Sequence, residues 1–340
     1  MTTQTRYLRY DDGFWPHTLA VVYAFGGYVA GFALILFASW PGKIAGTLWL
    51  AHAMVIAGYM IHECAHNTVF LSARHNARLG RALNWLTGGC YGTYEDLRHK
   101  HMRHHVDNAD VIALDYRGWL LRHPRMLTLT RALEWAYIPV VDIMMHAMLI
   151  IAPFVFASKK TQRWRVVRVA AIRWTLGALL FWYSWQAWLL YLLAYGLFLM
   201  VLRFMDAFQH SFEYVLALDD NPDLIRHKGD REYEDTHTYS NPIAANLPAI
   251  DWLTLNFGYH NAHHTRPTTP WYRLRALHFD TYGDDRRMIV PLKAQLLSFH
   301  RRRMDRVLLD AAEEDPAEVA RRWRDGTVVG STGASFLTAF

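Results

Sequence analysis

Uncharged apolar runs long enough to cross a lipid bilayer limit what this chain can become. The stretch from His17 to Trp40 carries no charge, and a helix needs about 20 apolar residues to span the hydrocarbon core. Pro41-Gly42-Lys43 reads as a turn and Ile44 to Ile61 as a second apolar run, so the two are expected to form a tight hairpin. Val169 to Trp185, with Arg173 near one end, and Ala187 to Met205, with Arg203 near the other, predict a second hairpin turning around Ser184 to Gln186. Inside lipid a backbone must satisfy its own polar groups, which favours helices. The expected fold is therefore all-α and integral to a membrane, with spans at about 17–40, 44–61, 169–185 and 187–205. Arg6, Arg9, Asp11 and Asp12 precede the first run with no small-residue cleavage pattern behind it, which argues for a span and against a signal peptide. The polar remainder is large. Hydrophobic residues make up 52% of the chain, yet mean hydropathy is near zero, because very apolar stretches alternate with strongly charged ones.

That polar remainder concentrates histidine. His62 and His66 lie in HECAH at the base of the first hairpin, His101, His104 and His105 in HMRHH, and His260, His263 and His264 in HNAHH. Residues three and four apart on a helix share a face, so each cluster can aim its rings at one point. Imidazole suits iron, copper, zinc and nickel, whereas magnesium and calcium prefer oxygen. Eight such rings exceed what one four-coordinate ion can use, and a pair of metals with room left for a small molecule is the better reading.

Ligands from all three clusters can reach one site only if an even number of spans separates the second cluster from the third. The two later apolar runs satisfy this; Leu133 to Ala157, interrupted by Glu134, Asp142 and His146, would break it and is read as an interfacial helix. The basic residues Lys159, Lys160, Arg163, Arg165, Arg168 and Arg203 lie on the histidine side, which predicts that this side is cytoplasmic. A single domain over 1–340 follows, with a cytoplasmic helical cap at 62–132 and 206–325 and a flexible tail at 326–340. Pro291 to Glu314 reads as a surface helix. The net charge of +6 flanks spans instead of forming an aromatic-lined groove, which points to anionic membrane lipid and away from nucleic acid. Two cysteines, Cys64 and Cys90, fit a reduced compartment, with Cys64 read as a small buried thiol.

The three clusters, their order, and their placement after one apolar hairpin and around a second resemble the membrane fatty acid desaturase and hydroxylase superfamily, over roughly Tyr59 to Leu277. The resemblance implies two iron ions with oxygen as co-substrate, and a substrate that is an acyl lipid, an acyl-CoA or an acyl carrier. No fused haem motif of the HPGG type is present, so the electron donor is expected to be a separate ferredoxin, rubredoxin or cytochrome b5 type of protein. It also implies that His210, in DAFQHSFE, is a further ligand. Asp206, one turn earlier, stands where acyl-CoA desaturases place an asparagine, and either binds metal or orients a ligand ring. Asn261, beside His260, and His237, in the loop before the third cluster, are candidates for the same two roles. Arg98 matches the Trp-Arg that usually precedes the second box, with Leu97 in place of the tryptophan, and Glu63 stands where the family often has aspartate.

Eight other histidines, at 52, 75, 99, 123, 146, 227, 278 and 300, are read as structural or solvated. The expected activity is oxygen-dependent insertion of a double bond into an acyl chain. A related di-iron hydroxylase or ketolase acting on a lipid, carotenoid or alkane shares the boxes. A histidine-rich metal transporter is the non-enzyme alternative, disfavoured because the clusters sit at span ends on one face and not along a path through the spans.

Overall fold

A computed structural model describes residues 7–112, 115–213, 215–217, 225–283, 285, 288–308, 316–325 and 327. The chain opens with α1 (Phe14–Phe37) and α2 (Trp40–Ala65), and continues through α3 (Ala73–Leu86) and α4 (Tyr94–Asp107) to a short strand, β1 (Asp110–Ile112). Helices α5 (Tyr116–Arg122), α6 (Pro124–Trp135) and α7 (Val140–Val155) lead to α8 (Arg163–Tyr183) and α9 (Trp185–Asp206), followed by β2 (Val215–Ala217). The last third holds α10 (Arg231–His237), α11 (Pro248–Asp251), α12 (His260–Thr265), α13 (Leu274–Tyr282), α14 (Leu292–Arg301) and α15 (Pro316–Arg324). Two compact units result, residues 1–96 with 149–199, and residues 97–148 with 200–340.

Among the described residues, four helical stretches are long and apolar enough to cross a membrane: Asp11–Phe37, Trp40–Ala65, Ala157–Tyr183 and Trp185–Asp206. Each corresponds to one expected span, with shifted ends. The first turn lies at Ala38 and Ser39 and not at Pro41-Gly42-Lys43, because Pro41 occupies the opening turn of α2, where a helix has no use for its missing N–H. The second break is at Ser184, whose hydroxyl accepts from Ala187 N at 3.2 Å and so caps α9. Gln186 is already helical.

In the first unit, Ala20, Ala24, Gly27, Gly31 and Ile35 form the buried face of α1. Their spacing of three and four puts them on one stripe. Small residues there let two backbones approach closely, the usual device where lipid removes the hydrophobic drive between helices. A β-carbon on Gly31 would lie 2.9 Å from Leu50 N and 3.0 Å from Gly46 O. Gly31→Val is therefore expected to cost about 1–3 kcal/mol by overpacking, read as a lowered unfolding temperature in detergent. The opposite side of α1, with Leu19, Val22, Val29 and Phe37, is exposed, as is most of α8. Arg165 of α8 donates to the carbonyls of Cys90 at 2.9 Å and Gly92 at 3.3 Å and also to that of Tyr91, clamping the loop ahead of α4. Arg173 donates to Trp85 O at 2.9 Å and Tyr191 Oη at 2.8 Å, so its charge meets partners and not lipid. Neither arginine is simply a cation flanking a span.

The second unit departs from the all-α expectation. β1 and β2 pair in parallel, Asp110 opposite Val215 and Ile112 opposite Ala217. Three-residue strands carry no hydropathy pattern long enough to read. The expected helix at 133–157 also divides, since α6 ends at Trp135, Tyr137 takes a left-handed φ of 61°, and α7 starts at Val140. At 16 residues α7 is not one of the four long apolar helices. The acids that interrupt this segment have a structural partner: Arg203 Nη1 meets Glu134 Oε2 at 2.7 Å and Oε1 at 2.9 Å, and Asp142 Oδ2 at 3.5 Å, all three side chains buried. Arg203 thus belongs to an internal ion cluster and not to a membrane-flanking patch.

The core of this unit packs Ala207, Phe208, Tyr239, Val290, Ala294, Phe299, Val319 and Trp323. Trp323 reaches it from α15, a helix not foreseen in the sequence, with its ring 4.2 Å from that of Tyr239. The expected helix at 291–314 is shorter: α14 ends at Arg301 and buries Ala294, Gln295, Ser298 and Phe299, while Leu296 is exposed. Of the expected tail at 326–340, only Thr327 falls among the described residues.

Candidate metal centre

The second unit brings three separated segments together. α4 carries the second histidine cluster and closes at Asn108, whose φ of 51° is left-handed, a conformation asparagine tolerates at helix ends. The Asn108 amide donates to His227 O at 2.8 Å and Asp230 O at 2.7 Å, tying the end of α4 to the start of α10. His210 follows α9 and forms a β-bridge with Thr238. α12 carries the third cluster. Just before it, Gly258 lies against Asn241 and Pro242 so closely that a β-carbon would meet Pro242 Cα at 2.8 Å, and Asn241 donates its N–H to Gly258 O at 2.7 Å. Asn241 also donates through its side chain to Met205 O at 2.6 Å, which links the end of α9 to the third cluster.

These links converge on four rings. One nitrogen from each of His104, His210, His260 and His264 falls in a group in which all lie within 4.8 Å of one another. His210 Nε2 faces His104 Nε2 at 3.0 Å and His260 Nε2 at 2.8 Å. His104 Nδ1 lies 2.9 Å from Ala109 O, which can only accept, so in the neutral ring the proton is there and Nε2 presents a lone pair. His264 Nδ1 lies 2.7 Å from Glu234 Oε1, which leaves its Nε2 in the same state. Burial, and then the neighbouring rings, hold His210, His260 and His264 well below the ordinary imidazole range; burial lowers His104 as well. Four imidazole nitrogens thus converge, two of them with an unprotonated Nε2 aimed inward, and a cation is well suited to such a group. The donor set therefore fits a borderline transition metal such as iron.

His101, His105 and His263 form a neighbouring group, with His105 Nε2 3.2 Å from His101 Nε2 and 3.1 Å from His263 Nε2. His62 and His66 stand at the end of α2 in the first unit, their ring centroids 4.8 Å apart. Asn67, with a φ of 54°, closes that helix as Asn108 closes α4.

The remaining candidates divide. Asp206 lines a small cavity with Lys100, His101, His104, Gln209, His210 and His260. Lys100 is buried there, and burial pushes its ammonium down to about 7 against the pull of Asp206, Asp110 and Asp142. Neither Lys100 nor Gln209 stands out in the sequence, because each is a common surface residue placed inside only by the tertiary fold. Asn261 turns elsewhere: its Oδ1 accepts from Ser240 Oγ, from His278 Nδ1 at 2.9 Å and from Ala262 N at 2.8 Å. It braces α12 and α13, and His278, read as isolated in the sequence, is its buried partner. His237 Nδ1 donates to Tyr233 O at 2.9 Å and its ring stacks on Tyr233. Glu234 and Thr238, absent from the sequence reading, contact ligand candidates, Thr238 Oγ1 lying 3.3 Å from His210 Nδ1. The repeated acidic and hydroxyl residues of REYEDTHTYS offered no pattern that singled them out.

A family model described as fatty acid desaturase matches residues 38–288, most of the chain. The chain belongs to the fatty acid desaturase family. It is 27% identical over 278 residues to a fatty acid desaturase of Bacillus subtilis (strain 168), covering 74% of this chain and 73% of that protein. It is 25% identical over 228 residues to the sphingolipid delta(4)-desaturase DES1 of Xenopus tropicalis, covering 65% of this chain and 59% of that relative. No solved structure shows significant similarity to it. Desaturase family membership, with four membrane-capable helices, makes the protein an integral membrane oxidoreductase of lipid metabolism.

Proposed function

We propose that the protein is an oxygen-dependent fatty acyl desaturase in which His62, His66, His101, His104, His105, His210, His260, His263 and His264 hold two irons on the cytoplasmic side of the membrane. The single observation carrying this reading is the convergence of ring nitrogens from His104, His210, His260 and His264. Breaking an unactivated alkyl C–H bond demands an oxidant stronger than any side chain, and bound iron with oxygen as co-substrate supplies it. The chain's own part is positional. Ala109 O and Glu234 fix which nitrogen of His104 and His264 faces inward, and burial of the rings keeps them neutral and limits water. Lys100, Asp206 and Gln209 present hydrogen-bonding groups to the cavity beside His210. An acyl chain carried as a lipid, a thioester of coenzyme A or an acyl-carrier thioester is the substrate class, and a separate redox protein delivers the electrons.

The test is expression in a host whose acyl lipids are analysed by mass spectrometry, with metal counted in the purified protein. Acyl products lighter by two hydrogens and two irons per chain are expected. An alcohol product would reassign the enzyme as a hydroxylase. Iron-loaded protein, coupled to a reductant, that consumes no oxygen with any acyl substrate would overturn the oxidative reading.

A further inference from the structure

Glu234 touches a ring of the four-histidine group and has both of its carboxylate oxygens engaged. Oε1 lies 2.7 Å from His264 Nδ1, and Oε2 accepts from Arg231 Nη1 at 2.7 Å. The Glu234 and His264 side chains are 6% and 1% exposed, so the contact is shielded from solvent. Arg231 also donates to His264 O at 3.1 Å and Thr265 O at 3.0 Å, gripping the last turn of α12, whose carbonyls have no partners further along the helix. On the far side of the same imidazole, Nε2 has no hydrogen-bond partner among the described residues. One arginine thus holds both the carboxylate and the backbone of the residue that the carboxylate orients.

We infer that Glu234 is a positioning residue for the metal centre. It engages Nδ1 of His264 and so orients the ring with Nε2 toward the other three, with Arg231 fixing the pair. A carboxylate behind a ligand histidine raises the basicity of that ligand, and losing it typically costs about 10–100-fold in metal affinity. Direct ligation by Glu234 is the competing role, since Glu234, His105 and His264 also group closely enough to share an ion. It is disfavoured because both carboxylate oxygens are already engaged. This inference rests on the two-iron reading above.

The experiment follows release of ferrous iron to a chelator from the full-length protein in lipid nanodiscs, together with Mössbauer spectra and the unfolding temperature of the metal-free form. In Glu234→Gln one of the two irons is expected to leave about 10–100-fold faster, the other at the wild-type rate, with the metal-free unfolding temperature unchanged. Arg231→Met should move the same iron in the same direction by less. Wild-type release of both irons from Glu234→Gln, or equal acceleration of both with a lowered metal-free unfolding temperature, would overturn the assignment. So would a Mössbauer change as large as that of His264→Ala, which would make Glu234 a ligand. Wild-type protein that binds zinc and not iron would sink the two-iron reading but leave the same comparison readable as zinc release.

Discussion

His104→Ala or His210→Ala is expected to abolish turnover and to strip iron from the protein while leaving it inserted in the membrane. Each substitution removes one of four converging nitrogens and leaves the other three turned toward a gap. The loss should exceed the roughly 100-fold that follows from removing a group that merely supports a ligand. Both residues lie outside the apolar faces of the long helices, so flotation with membranes should match wild type. His210 is the sharper case, because its Nε2 sits between His104 and His260. Full iron content in His210→Ala would remove it from the ligand set; full activity in His104→Ala would dismiss the site altogether.

The second large effect concerns stability. Arg203→Met leaves the Glu134 carboxylate buried without its arginine and removes the 3.5 Å contact to Asp142, and breaking a buried ion cluster from one side costs about 3–5 kcal/mol. Thermal unfolding in detergent should show this as a marked fall. Adding Glu134→Leu and Asp142→Leu should recover much of the loss, because a well-packed apolar replacement of a whole buried cluster is often neutral. A triple variant no more stable than Arg203→Met would mean that the three residues do not act as one charge cluster.

Hydropathy made the four long helices legible because lipid-crossing segments need length and absence of charge, both of which are local properties of the chain. Histidine spacing was legible for the same reason, since His104 and His105, or His263 and His264, lie within one turn. What escaped the sequence depends on partners far apart along it. Glu134 and Asp142 read as interruptions until Arg203, over sixty residues away, is seen to pair with them. Asn261 reads as a neighbour of the metal until Ser240 and His278 are seen to occupy its oxygen. Glu234 reads as one acid among several until a single imidazole claims it. Polar residues buried by tertiary contacts carry no periodic signature, and most of what supports the candidate ligands is of that kind.

The parallel pairing of β1 and β2 bears on how this chain can change. Asp110 follows His104, and Val215 follows His210, within two turns' length of chain, and those two strand residues stand opposite each other. The ladder thus lies close along both stretches of chain to two rings whose Nε2 atoms meet at 3.0 Å. A residue gained or lost between His104 and Asp110 would shift that ring against His210, so indels should be tolerated far less there than in the surface connections.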